Sequence, residues 1–272
     1  MDFDHKIVVM DMSGMLVEEG FCPADACVLD FRGLAGTECL CDDEALRELR
    51  RALAPLPAEG IHFIDGGDWH YLSLLWMEKI TEPFGLYLFD NHPDNQPASF
   101  GEDILSCGSW VLAACRTLPL LWDVVWINAA PGHLSGPSPL LRKGDGPCLA
   151  GAASNNGERS PSGAFPQPAV RWARTRFKRS EGNGSTLERI PAYISIDLDV
   201  LSREEAVTNW DQGTMRLTEL MDSISKIAAD QKIIGVDICG GILPSQGACT
   251  CDLATNKRTR QKLLEFLLSL QQ

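Results

Sequence analysis

Positive charge is scarce in this sequence: 24 Lys and Arg stand against 37 Asp and Glu in 272 residues, for a formal net charge of −13. A surface of that sign repels a phosphate backbone, which excludes nucleic acid as the main partner and suits a soluble, self-repelling cytoplasmic protein. Long uninterrupted apolar runs are missing too. The longest apolar stretch, Trp110 to Ala130, is broken by Arg116, Pro119 and Asp123. It reads as a helix, a break and a buried strand, so no membrane span is expected. The opening MDFDHKIVVMDMSG has acidic residues where a secretory signal needs positive charge, and a cytoplasmic location is the expectation. No pair of cysteines has the two-residue spacing usual for zinc. Of the ten cysteines, Cys39 with Cys41 and Cys249 with Cys251 are separated by a single residue. In an intracellular chain they read as free thiols and buried small residues, not as a disulfide framework.

What the chain does have is alternation of strands and helices. Lys6 to Met12 reads as a first strand, and Asp42 to Leu53, with Leu46, Leu49 and Leu53 on one side, as a short amphipathic helix. Ile61 to Ile64 and Leu86 to Phe89 are apolar runs that switch abruptly to polar residues, as strands do on entering loops. Between them Trp69 to Ile80 carries Leu72, Leu75, Trp76 and Ile80 at helical spacing. Leu105 to Leu118 reads as a helix, Trp122 to Ile127 as a strand, and Ala192 to Leu201 as a strand that ends in acids. Arg216 to Ala229 (helix), Lys232 to Ile238 (strand) and Asp252 to Leu270 (helix) complete the chain. The alternation predicts a single α/β domain over residues 1–272, three layers α/β/α with a mostly parallel central sheet. An irregular insertion rich in Gly, Pro, Ser and Asn interrupts it at about 130–189. Within it Val170 to Arg179 holds five basic residues, read as a solvated face.

Ligands of parallel α/β sheets bind outside the carboxyl ends of the strands, and there the sequence concentrates acids. Asp90, His92 and Asp94 are two apart and in near-extended chain converge on one point. Asp197 and Asp199 form a second cluster, and His70 follows the Ile61 strand. Four converging carboxylates raise one another's pKa unless cations intervene. Hard oxygens with two imidazoles and no thiolate suit Mn²⁺ or a similar ion, and bridging carboxylates suit two ions. Such a pair can share a water and lower its pKa.

Three blocks, IDGGDWH, FDNHPD and SIDLDVL, resemble those of the ureohydrolases (arginase and agmatinase) in the arginase-deacetylase superfamily. They occur in family order and cover roughly residues 60–130 and 190–240. The chain reads as a divergent bacterial member of unassigned substrate. The resemblance implies two manganese ions: His70, Asp90, Asp94 and Asp197 would hold one, and His92, Asp90, Asp197 and Asp199 the other. Asp90 and Asp197 would bridge. It also implies a metallohydrolase acting on a non-peptide C–N bond of a guanidino, amidino or amide substrate, in which Asp94 receives a proton from the attacking metal-bridging hydroxide.

The chain departs from the family pattern in three places. Trp69 intervenes between the Gly-Gly-Asp and the histidine. Cys107 or Ser109 stands where the family often has a proton-shuttling histidine; a thiol there, near a helix N-terminus and metals, is expected either to favour its thiolate or to pack that helix as a buried small residue. Gly240 and Gly241 replace the family's guanidinium-binding glutamate, so free arginine is not the expected substrate unless Asp211 or Asp237 supplies the charge. The alternatives are a deacetylase-like amide hydrolase, which in such relatives usually uses one metal, and a catalytically silent metal-binding protein of the same fold. A small-molecule substrate is expected, with assembly into a homo-oligomer left open.

Overall fold

The computed structural model describes residues 7–97, 104–128, 138–142 and 190–270. Its strands are β1 (Ile7–Asp11), β2 (Cys27–Asp30), β3 (Leu40–Cys41), β4 (Gly60–Ile64), β5 (Phe84–Phe89), β6 (Leu105–Ser106), β7 (Leu121–Ile127), β8 (Ser138–Arg142), β9 (Ala192–Asp197) and β10 (Ile233–Cys239). The helices are α1 (Met15–Glu18), α2 (Asp43–Leu53), α3 (Leu72–Met77), α4 (Trp110–Thr117), α5 (Leu217–Asp230) and α6 (Thr250–Ser269). Eight strands form the main sheet in the order β2-β1-β4-β10-β9-β5-β7-β8. All its pairings are parallel except that of β8 with β7.

Nearly continuous apolar runs such as IVVMD in β1 and AYISID in β9 are buried along their whole length, as strands covered on both faces must be. Alternate side chains enter opposite cores. Val8, Met10, Ile64, Leu86 and Leu88 pack with residues of α2, α3 and α4. Val9, Phe63, Ile194, Ile196 and Val236 pack with α1, α5 and α6. This is the expected three-layer α/β/α arrangement with a mostly parallel sheet.

Helix α2 starts where the sequence predicts, because the Asp42 carboxylate accepts from the backbone N–H groups of Glu44 and Ala45. Other boundaries differ. The helix expected over Trp69 to Ile80 is split into a 3₁₀ turn, Gly67–Trp69, and the six-residue α3, all of it buried. The helix expected from Leu105 begins only at Trp110. Leu105 and Ser106 instead pair antiparallel with Cys41 and Leu40, and the turn after them is held by hydrogen bonds from the Ser106 N–H and hydroxyl to Ser109 Oγ. Strand β2, an edge strand alternating between half-buried and exposed residues, carries too weak an apolar signal to be read. In α6 Leu263 and Leu267 are buried, whereas Leu270, just past its end, is exposed.

Of the insertion expected at about 130–189, residues 138–142 form β8. The remainder, including Val170 to Arg179, lies outside the described residues. The reading of every cysteine as a free or buried thiol is corrected at one pair: Cys249 and Cys251 are joined by a disulfide. They stand exposed at the start of α6 with Cα atoms 5.3 Å apart, within bridging reach. Among the described residues no helix is long and apolar enough to cross a membrane.

Candidate metal centre

Three neighbouring strands end side by side. In the sheet register Phe89 of β5 is level with Ile196 of β9, and Asp197 of β9 with Cys239 of β10. Asp90 and Asp197 therefore leave the sheet next to each other, at its carboxyl edge. Beyond β9 the Asp197 Oδ1 accepts from the Asp199 N–H and caps a 3₁₀ turn, Leu198–Val200, which brings Asp199 back to the same edge.

His70 reaches the edge from the other side. The 3₁₀ turn at Gly67–Trp69 absorbs the extra residue, and Trp69 turns inward, its indole N–H donating to Thr37 Oγ1 at 3.3 Å. The turn passes so near the acids that a β-carbon on Gly67 would lie 2.9 Å from Asp197 Oδ2. Only glycine tolerates that approach without displacing the carboxylate.

All six residues singled out as ligands come together, in two overlapping groups. His70 Nδ1 lies 3.1 Å from Asp90 Oδ2, 3.1 Å from Asp94 Oδ2 and 3.7 Å from Asp197 Oδ2. His92 Nδ1 lies 2.8 Å from Asp199 Oδ2 and 3.7 Å from Asp90 Oδ1. Asp90 thus turns one oxygen to each histidine. Asp197 groups with His70 and not with His92. Asp94 takes a left-handed backbone, φ 46°, so the loop is not evenly extended as its spacing implies. Its Oδ2 nevertheless points inward and accepts from the Trp110 indole N–H at 2.7 Å.

The electrostatics are those of a cation-binding site. Burial pushes the Asp197 carboxyl up to about 7 and the Asp199 carboxyl up to about 6, with further upward pressure from neighbouring acids. Burial raises Asp94 as well. The bond to Asp199, seconded by Asp90, holds the His92 imidazolium up to about 11. Burial acts to lower the pKa of His70, but the Cys239 thiol and the surrounding acids outweigh it and leave the group well above its usual value. His70 Nδ1 is buried with neither adjacent carboxylate placed to receive its hydrogen. Its Nε2 is paired with Ser195 Oγ at 2.8 Å, and Ser195 in turn with Ser73 Oγ at 3.0 Å. An imidazole held through Nε2 with Nδ1 aimed between carboxylates is the arrangement of a metal-ligating histidine. The donor set therefore fits divalent ions.

A cleft of about 260 Å³ opens on this cluster, lined also by Gly67, Pro93, Gln96, Cys107, Gly108 and Trp210. Cys107 lines the cleft, three residues before helix α4 starts, and in the metal-free site burial pushes its thiol up to about 11, with Asp94 and Asp68 adding to the rise. Ser109 is buried and bonded to Ser106. Neither acid considered as a replacement cation anchor lines the cleft: Asp211 is exposed, and Asp237 is buried against His62 Nδ1 at 2.8 Å and the Tyr193 hydroxyl at 2.7 Å.

Several contributors went unread in the sequence. Asp68 accepts from Trp210 Nε1 at 2.9 Å, Asn209 Nδ2 at 3.2 Å and the Cys39 thiol at 3.3 Å, tying two loops to the cleft. Its place in the Gly-Gly-Asp block was the available signal. Cys239 gave none beyond ending a strand, yet its Sγ lies 3.3 Å from Asp197 Oδ2.

The fold has counterparts among solved structures. Proclavaminate amidino hydrolase from Streptomyces clavuligerus matches at a TM-score of 0.55 with 16% identity, over 96% of this chain and 91% of that one. A putative agmatinase from Clostridium difficile matches at 0.52 with 15% identity, over 98% and 97%. Arginase from Bacillus subtilis matches at 0.51 with 13% identity, over 97% and 98%. The chain thus has the arginase-like α/β fold. An uncharacterized protein of Thermotoga maritima is 26% identical over 237 residues, 86% of this chain and 79% of the relative. No protein-family model matches the sequence.

Proposed function

We propose that this chain, built on the fold of the ureohydrolases, is a dinuclear metallohydrolase that cleaves a C–N bond of a small guanidino, amidino or amide substrate. The observation that carries the reading is Asp90, whose Oδ2 faces His70 and whose Oδ1 faces His92. A carboxylate so placed between two imidazoles, each backed by further acids, is suited to bridge two ions. His70, Asp90, Asp94 and Asp197 would hold the inner ion, and His92, Asp90 and Asp199 the outer. Two divalent ions, manganese by the resemblance, would supply an activated water near neutral pH and stabilise charge on the attacked carbon's substituents.

The protein's own groups supply the rest. Asp94, fixed by Trp110 Nε1 and made more basic by burial, is placed to take up a proton. Ser195 fixes the orientation of His70 through Nε2. Cys107 faces the cleft as a neutral thiol, a weak donor towards a bound substrate. Among the described residues all acids lining the cleft belong to the metal set, and none is spare to pair with a cationic head group. The favoured substrate is therefore neutral, or anchored away from its reacting carbon.

Urea or ammonia release by manganese-loaded protein across a panel of amides, amidines and guanidines tests this. Turnover of a neutral substrate above that of arginine and agmatine is expected. A kcat/KM of about 10⁴ M⁻¹s⁻¹ or more on arginine would contradict the substrate class. Absence of C–N cleavage throughout would leave a metal-binding protein of the same fold.

A further inference from the structure

We infer that Cys239 is a direct thiolate ligand of the inner metal position, which is thereby tuned to a softer ion than the outer one. The inference rests on the two-ion reading above. Cys239 ends β10 level with Asp197, fully buried, with Sγ 3.3 Å from Asp197 Oδ2. The donor atoms of His70, Asp197 and Cys239 all lie within 4.8 Å of one another, the separation expected around a common ion. A second, independent observation points to a ligand there: His70 Nδ1, on a side chain 1% exposed, is aimed at this cluster without a hydrogen-bond partner.

The two positions then differ in chemistry. The outer one offers His92 and the carboxylates of Asp90 and Asp199, a hard set suited to Mn²⁺. The inner one adds sulfur to imidazole and carboxylate, which favours Zn²⁺ or Fe²⁺. On binding, the sulfur gives up its proton to solvent and the Sγ–metal contact replaces the S–H contact to Asp197. A hydrophobic residue at this place would leave Asp197 without that neighbour, and a serine would keep the hydrogen bond but supply no soft donor. The second alternative sets the control.

Cobalt(II) is the probe, because its visible d–d bands report binding and a near-ultraviolet sulfur-to-cobalt charge-transfer band reports a thiolate ligand. Wild-type protein loaded with Co²⁺ is expected to show both, and Cys239→Ser to keep the d–d bands and lose the charge-transfer band. Competition titrations should show the Zn²⁺-over-Mn²⁺ affinity ratio falling about tenfold or more in Cys239→Ser. Cys239→Ala is expected to lose the charge-transfer band likewise. Wild-type d–d bands without a charge-transfer band, or a band that survives in Cys239→Ser, would overturn the assignment while leaving the metal centre standing. Failure of wild-type protein to develop d–d bands would overturn both.

Discussion

Gly240 lies against the carboxylate of Asp197 so closely that a β-carbon on it would overlap Oδ1, and would also come within 2.9 Å of the Leu198 nitrogen. Its φ of 95° lies in the left-handed region open to glycine, and its carbonyl accepts from the buried Arg260 guanidinium. The glycine that by the resemblance stands in place of the family's glutamate is thus a requirement of the packing around Asp197. It cannot be exchanged for the missing anchor.

Gly240→Glu is accordingly expected to displace Asp197 and lower bound metal well below the wild-type value, without conferring arginine turnover. Metal content of the purified variant, beside its far-ultraviolet circular dichroism, checks this. A folded variant with full metal content would mean that the edge of the sheet yields more readily than its packing implies.

Ser195→Ala removes the partner of His70 Nε2 while leaving every proposed ligand in place. Loss of such an outer hydrogen bond costs about 10- to 100-fold in metal affinity. Isothermal titration with Mn²⁺ is the measurement, and an unchanged affinity would show that Ser195 does not orient the ring.

The metal-free protein should grow less stable as pH rises, and bound metal should reverse this. Asp197 and Asp199, held up to about 7 and about 6 chiefly by burial, bind more protons folded than unfolded above the ordinary carboxylate pKa of about 4. Stability therefore falls as pH rises from about 4 to about 7. His92, held up to about 11 by Asp199, stabilises the metal-free fold below its ordinary pKa of about 6.5, and that contribution is lost as pH climbs towards 11. Both groups act in the same direction. Thermal melting with chelator and with Mn²⁺ should show a gap in Tm that widens from about pH 5 to about pH 8; a constant or narrowing gap would contradict the account.

Much of this site was legible because its signals are local. Asp90, His92 and Asp94, then Asp197 and Asp199, stand together just past apolar runs that mark strand ends, although a left-handed Asp94 and a 3₁₀ turn at Asp199, not even extension, bring them to one point. His70 was legible despite Trp69, since a 3₁₀ turn takes up one residue and still delivers the histidine to the sheet edge. The features that escaped depend on pairing between distant segments. Leu105 and Ser106 read as helix until Leu40 and Cys41 supply a strand partner. Cys239 becomes a site residue only through the register that sets β10 against β9. The resemblance led to the expectation that both Asp90 and Asp197 bridge. Each accepts at its Oδ1 from a backbone N–H two residues on, that of His92 and that of Asp199 respectively, and of the two it is Asp90 that lies near both histidines.

The central claim, a two-ion centre joined through Asp90, is tested most directly by metal stoichiometry. Wild-type protein dialysed against Mn²⁺ should retain two equivalents, and Asp90→Asn should lose most of both while remaining folded. A wild-type chain that retains one equivalent or none, or an Asp90→Asn variant that retains two, would contradict the account.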